Sequence, residues 1–190
     1  MRKFLTPSRG RRSSPSGGAY EAFPRGKSRS RRVRFTRSLI YIANRYYRVP
    51  KVTAHYCDVS DSESVKSVVA EIVKDHGKID HLVTSAGFTE NFDAIEYPPE
   101  RLQKLWGVDV NGTYFFACEV ARHLMERKVK GSMVMIGSMS GAIVNVPQPQ
   151  APYNAAKAAV RHLAASFAVE WAHAGIRVNV ISPGYMLTAL

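Results

Sequence analysis

The chain has 190 residues and carries 27 Lys+Arg against 15 Asp+Glu, a formal charge of +12. That length is enough for one domain with a real core, two cysteines are too few for a disulfide framework or metal-ligand spacing, and no apolar run reaches the length of a membrane span. The charge is lopsided, however: residues 1–50 hold 14 Lys+Arg against a single acid, Glu21, and residues 51–190 hold 13 against 14 acids, so the basicity belongs to the front segment and the rest is near neutral.

Residues 1–37 are rich in Arg, Ser, Gly and Pro and bury too little apolar surface to offset chain entropy, so they are expected to be mostly disordered. Residues 38–47 read as a short helix or strand. From residue 51 the pattern changes. The β-branched run KVTAHYC predicts a strand over 51–57. Ser60 and Glu63 form a capping box. Val65, Val68, Val69, Ile72 and Val73 then fall on one helical face, and Gly77 closes the helix. IDHLVT is the next strand and SAG the turn after it. A helical region runs over 99–128, SMVMIG is a strand, a helix spans 151–174, and IRVNVIS is the last strand. Nearly continuous apolar strands alternating with helices predict an α/β fold with a parallel sheet covered on both faces. Ligands in such sheets sit beyond the carboxyl ends of the strands, which is where chemistry should be sought. Cys57 and Cys118 read as core thiols in a reducing compartment. The N-terminus lacks the apolar core of a secretory signal, so a cytoplasmic protein is expected.

Ser138 follows the strand SMVMIG, and Tyr153 and Lys157 stand on the next helix at i and i+4, hence on one face. A phenol ionises near pH ~10, too high for neutral acid–base work, but an ammonium nearby favours the phenolate. At about 4 Å and an effective dielectric near 20 that attraction is on the order of 4 kcal/mol before desolvation. A bare Y-x-x-x-K is a weak signal, and a buried phenol beside a snorkelling lysine is the plainer account of it.

The surrounding motifs change the weight of that pair. From about residue 51 onward the chain resembles the short-chain dehydrogenase/reductase family. The resemblance rests on CDVSD, TSAG, VNG, SMSG, YNAAK and SPGYMLT, six motifs in the right order. It implies a Rossmann-like doubly wound parallel sheet. It implies that Asp58 and Val59 meet the adenine of a dinucleotide, that Ser85, Ala86 and Gly87 border it, and that Pro183, Gly184, Met186 and Thr188 hold the nicotinamide carboxamide. Asn111, Ser138, Tyr153 and Lys157 would be catalytic: Tyr153 exchanging the hydroxyl proton, Lys157 holding the ribose, Ser138 steadying the substrate oxygen and Asn111 anchoring a relay water. No metal enters this scheme. PQPQAPYNAAKAA and ISPGYMLTAL most resemble fungal polyol dehydrogenases and ketose reductases of the mannitol, arabinitol and sorbose type. The stretch between Ser138 and Tyr153 is two residues longer than in many members. The substrate implied is a polyol/ketose pair, the coenzyme NADP(H) with NAD(H) possible, and the assembly a homo-oligomer through the helices 99–128 and 151–174.

The chain departs from the family at both ends. None of its thirteen glycines supplies the Gly-x-x-x-Gly-x-Gly turn that cradles pyrophosphate, and the sequence stops at Leu190, just past Thr188. The expected architecture is therefore a Rossmann-like domain over 51–190, incomplete at both ends, behind a basic segment 1–50 that a changed reading frame or a retained intron would explain. Two other readings remain: an inactive family member without cofactor affinity, and a nucleic-acid-binding or organelle-targeting role for the basic segment, which has few aromatics, no binding motif and weak amphipathic periodicity.

Overall fold

The computed structural model describes residues 52–186. The expectations for residues 1–50 and for Thr188 lie outside the described residues.

The first helix, α1 (Ser62–His76), buries Val65, Val68 and Val69, three members of the predicted apolar face. Its cap differs from the expected capping box. Asp61, not Ser60, is the N-cap, and its Oδ1 accepts the Glu63 N–H at 3.1 Å. The Ser60 hydroxyl is already committed, donating to Asp58 Oδ1 at 2.7 Å. Gly77 ends the helix with φ 80°, a left-handed conformation, and donates its N–H to the Val73 carbonyl. The strand expected over 51–57 does not form among the described residues: 52–57 belong to no ladder. β-Branched side chains permit an extended chain, but only a hydrogen-bonding neighbour makes it a strand.

Three parallel strands, β1 (His81–Thr84), β2 (Gly131–Ile136) and β3 (Ile176–Ile181), lie in the order β1-β2-β3. The predicted helix over 99–128 is α2 (Pro99–Trp106), a π-helical stretch Gly107–Asn111, and α3 (Gly112–Glu126). The predicted helix over 151–174 is α4 (Ala151–Glu170) with a short 3-10 turn, Ala172–Ala174. α3 crosses from β1 to β2 and α4 from β2 to β3, the connection a parallel pair requires.

Register decides which side chains meet the helices. Leu82, Met133 and Val178 form one rung and Thr84, Met135 and Val180 another. Met133 and Met135 are wholly buried, in one cluster with Val120, Leu124, Val160, Ala164 and Phe167 from α3 and α4. Each of the larger side chains among these contributes about 1.5–3 kcal/mol. Phe167 stacks on Trp171 with centroids 4.3 Å apart. The opposite rungs contain Val83, which is 62 % exposed, and Ile181, 54 % exposed. Among the described residues α3 and α4 lie on the same side of the expected parallel sheet, and the strands bury alternate residues against them. The expectation of core thiols is corrected: Cys57 and Cys118 are free but only half-buried. Cys118 packs at the edge of the main core cluster, and burial pushes its thiol up. No helix among the described residues is long and apolar enough to cross a membrane.

Candidate active site

β2 ends at Ile136, and the chain turns at Gly137, whose N–H donates to the Ile181 carbonyl at 2.8 Å. Ser138 follows in extended geometry and caps the 3-10 turn Met139–Gly141, its Oγ accepting the Ser140 N–H at 3.1 Å. Met139 N–H donates to the Pro183 carbonyl. Ser138 and Pro183 are thereby brought to the same end of adjacent strands, the carboxyl end, as parallel-sheet topology requires.

α4 begins at Ala151 with Pro152 in its first turn, where a missing N–H costs nothing. Tyr153 is half-buried and Lys157 is 5 % exposed. The Lys157 ammonium lies 5.6 Å from the Tyr153 ring centroid, within cation–π reach, so the predicted shared face is real. The snorkelling alternative fails, because the lysine points inward. Its Nζ donates to the Ile136 carbonyl at 3.2 Å and stands 3.0 Å from Asp109 Oδ1. That contact is an ion pair by distance whose angle misses hydrogen-bond alignment, since Oδ1 makes no aligned hydrogen bond.

Asp109 is fully buried and was not anticipated from the sequence. The π-helical stretch turns it inward while Asn111, two residues on, is exposed. Wide turns of this kind re-aim side chains within an otherwise regular helix. Asp109 Oδ2 accepts the Phe88 N–H at 3.1 Å, and Thr113 Oγ1 donates to the Asp109 carbonyl. The available signal was an acid between two valines in a helical stretch, a place where an unpaired carboxylate is costly. A second group not anticipated is the buried amide of Gln150 with Asn145 and Ser140.

The other expected residues sit around this cluster without joining it. Asp58 is exposed, and its Oδ1 accepts both the N–H and the hydroxyl of Ser60, which hold its carboxyl below the usual carboxylate range. Val59 packs against the start of α3: a Cβ at Gly112 would meet Val59 Cγ2 at 2.9 Å. Ser85 and Ala86 are exposed beyond β1. Gly87 closes over the ion pair, since a Cβ there would meet Asp109 Oδ1 at 2.7 Å. Gly184 and Met186 are exposed beyond β3. The structure does not bring Asn111 into hydrogen-bond contact with Tyr153 or Lys157.

A dinucleotide can be tested against these positions. Val59, Thr84, Ser85, Ala86 and Gly112 line a cavity of about 220 Å³, and the buried Thr84 hydroxyl on its wall has no hydrogen-bond partner among the described residues. That lining fits the adenine end of a dinucleotide, and the exposed turn at 183–186 lies at the same end of the sheet. A larger cavity of about 810 Å³ opens around Lys130, Gly131 and Ile176, but that is the amino end of the strands, away from Ser138 and Tyr153.

A family model described as enoyl-(acyl carrier protein) reductase matches residues 42–190. An NADH-dependent L-xylulose reductase of Ambrosiozyma monospora is 47% identical over 140 residues, 73% of this chain and 52% of the relative. A ribulose-forming D-arabinitol 2-dehydrogenase of Candida albicans is 47% identical over 143 residues, 75% of this chain and 51% of the relative. The chain thus spans about half the length of the curated relatives it matches. Among solved structures, an NADPH-dependent 3-quinuclidinone reductase from Rhodotorula rubra superposes with a TM-score of 0.75 at 35% identity, covering 82% of this chain and 57% of that one.

Proposed function

Since the chain belongs to the short-chain dehydrogenase/reductase family, we propose that its site serves hydride transfer between a polyol or ketose carbon and NADP(H), with NAD(H) as the alternative coenzyme. The observation that carries the reading is Lys157, a buried ammonium held by Asp109 and the Ile136 carbonyl one helical turn from Tyr153. That arrangement holds an ammonium beside a phenol that is placed to take or return a hydroxyl proton. Ser138, whose oxygen is oriented by the Ser140 N–H, donates its own hydrogen to the substrate oxygen. Asn111 anchors a water leading to solvent.

When bound, the nicotinamide supplies the hydride acceptor or donor. Asp58 and Val59 would hold the adenine end, Ser85, Ala86 and Gly87 the ribose side, Tyr153 and Lys157 the nicotinamide ribose, and Pro183, Gly184 and Met186 the carboxamide, with Thr188 beyond the described residues. The polyol class is supported by the xylulose and arabinitol activities named for relatives 47% identical. A homo-oligomer built on the helices of 99–128 and 151–174 belongs to the same reading, supported by the exposed Tyr114 and Val169 on α3 and α4. So does a cytoplasmic location, supported by two unpaired thiols.

The competing reading is a family member without cofactor affinity. It is favoured by the thirteen glycines, none of which forms the phosphate-cradling turn. Titrating the purified full chain with NADP(H) and NAD(H), then assaying polyol oxidation, separates the two. Saturation below roughly millimolar coenzyme is expected, and Tyr153→Phe should lower turnover by about 10²–10⁴-fold, with a far smaller loss of coenzyme affinity. Absence of saturation at millimolar coenzyme would decide for the competing reading.

A further inference from the structure

We propose that Gln150 is a positioning residue that locks the turn of Ser138 to the turn of Tyr153, an inference that rests on the reading of those two side chains as the acid–base machinery. Gln150 occupies the N-cap position of α4, yet its side chain makes no cap hydrogen bond. It turns into the protein instead, where Gln150, Asn145 and Ser140 are 7 %, 7 % and 6 % exposed.

Its Nε2 lies 2.9 Å from Asn145 Oδ1, 3.1 Å from Asn154 Oδ1 and 3.3 Å from Ser140 Oγ. A primary amide has two N–H groups, so one of them is shared among these three acceptors. On one side the chain of bonds continues to Ser138: the Ser140 whose hydroxyl Gln150 holds is the residue whose N–H orients Ser138 Oγ. On the other side it reaches Asn154, the neighbour of Tyr153, whose own N–H returns to the Gln150 carbonyl at 3.0 Å. A single amide therefore joins the two turns. A third arm passes through Asn145, whose Nδ2 donates to the Tyr185 hydroxyl at 3.1 Å, and that hydroxyl donates to Gln148 Oε1 at 2.7 Å.

The lock is needed because the connection between these turns is long and irregular. Residues 142–150 form no helix or strand, so backbone hydrogen bonding alone does not set the distance from Ser138 to Tyr153. Buried amide bonds of this kind are costly to leave half-made, which gives the arrangement one preferred geometry. Catalysis by two groups on separate elements is sensitive to that geometry.

The test uses the full chain with Gln150→Leu, which removes the donors, and Gln150→Glu, which keeps the shape and regains one donor on protonation. Hydrogen exchange reads the lock without any need for turnover. In Gln150→Leu the amides of Ser140 and Asn154 should exchange faster together, on the order of tenfold, with α3 and β2 unchanged. In assays kcat should fall on the order of 10²-fold at unchanged coenzyme affinity, and Gln150→Glu should recover part of that loss as pH is lowered, which Gln150→Leu should not. Faster exchange at Asn154 with Ser140 unaffected would overturn the proposal, as would both turns loosening with kcat unaltered. If Gln150→Leu does not fold, Gln150→Glu compared at two pH values decides by the same exchange pair. A wild-type chain that binds no coenzyme sinks the functional reading, while the exchange result still decides whether Gln150 joins the turns.

Discussion

The end of β2 and the loops after β1 and β3 lie side by side at one end of the sheet, but they are built differently. Around β2 and α4 the polar groups are buried and hold one another: Ser138, Ser140, Gln150, Lys157 and Asp109 are each under a tenth exposed and are tied by short internal contacts, Asp109 Oδ1 by its ion pair alone. Around β1 and β3 the residues proposed to touch coenzyme, Ser85, Ala86, Gly184 and Met186, are exposed, as is Asp58 before α1. The difference teaches that the proposed acid–base cluster is organised from within, by β2, α4 and the π-helical stretch that supplies Asp109. The loops proposed to face coenzyme offer exposed backbone and side chains instead.

The sharpest way to break this contrast is to unpair Lys157. Asp109→Ala leaves a buried ammonium without its counter-ion and the Phe88 N–H without its acceptor. The expected loss is about 3–5 kcal/mol of stability, read as the urea midpoint of the full chain. A loss below about 1 kcal/mol would mean the pair is solvated and the cluster not preorganised. Next in size is Gly141→Ala. A Cβ there would meet the Lys157 carbonyl carbon at 2.6 Å, against helix backbone that cannot yield. A destabilisation of about 1–3 kcal/mol is expected, together with faster amide exchange over Met139–Gly141.

The smallest effect belongs to the open side. The Ser60 bonds hold Asp58 below its ordinary value, so it contributes stability above the usual carboxylate pKa of about 3.9 that is lost as pH falls through the lowered folded value. Because the group is exposed, the contribution is slight. Denaturation curves of Asp58→Asn and wild type should converge below about pH 4 and differ slightly above it. A large gap at neutral pH would place Asp58 in the same class as Asp109.

Much of the sheet and its helices was legible because each depends on short-range pattern. The valines of α1 repeat at helical spacing, and Tyr153 and Lys157 share a face because i and i+4 always do. The failures share a cause as well. The stretch 52–57 has strand composition but no ladder partner among the described residues. Ser60 has capping chemistry, but Asp58 uses its hydroxyl first.

By itself, then, the sequence determined the order of elements, the parallel α/β class and the Tyr153–Lys157 pair, because periodicity and turn residues act over a few positions. Only the tertiary structure decided that Lys157 points inward to Asp109, that one amide at Gln150 spans two turns, and that α3 and α4 cover the same face of the sheet. Those outcomes depend on which distant groups compete for the same buried hydrogen bonds and charge, and burial makes each choice costly to leave unmet.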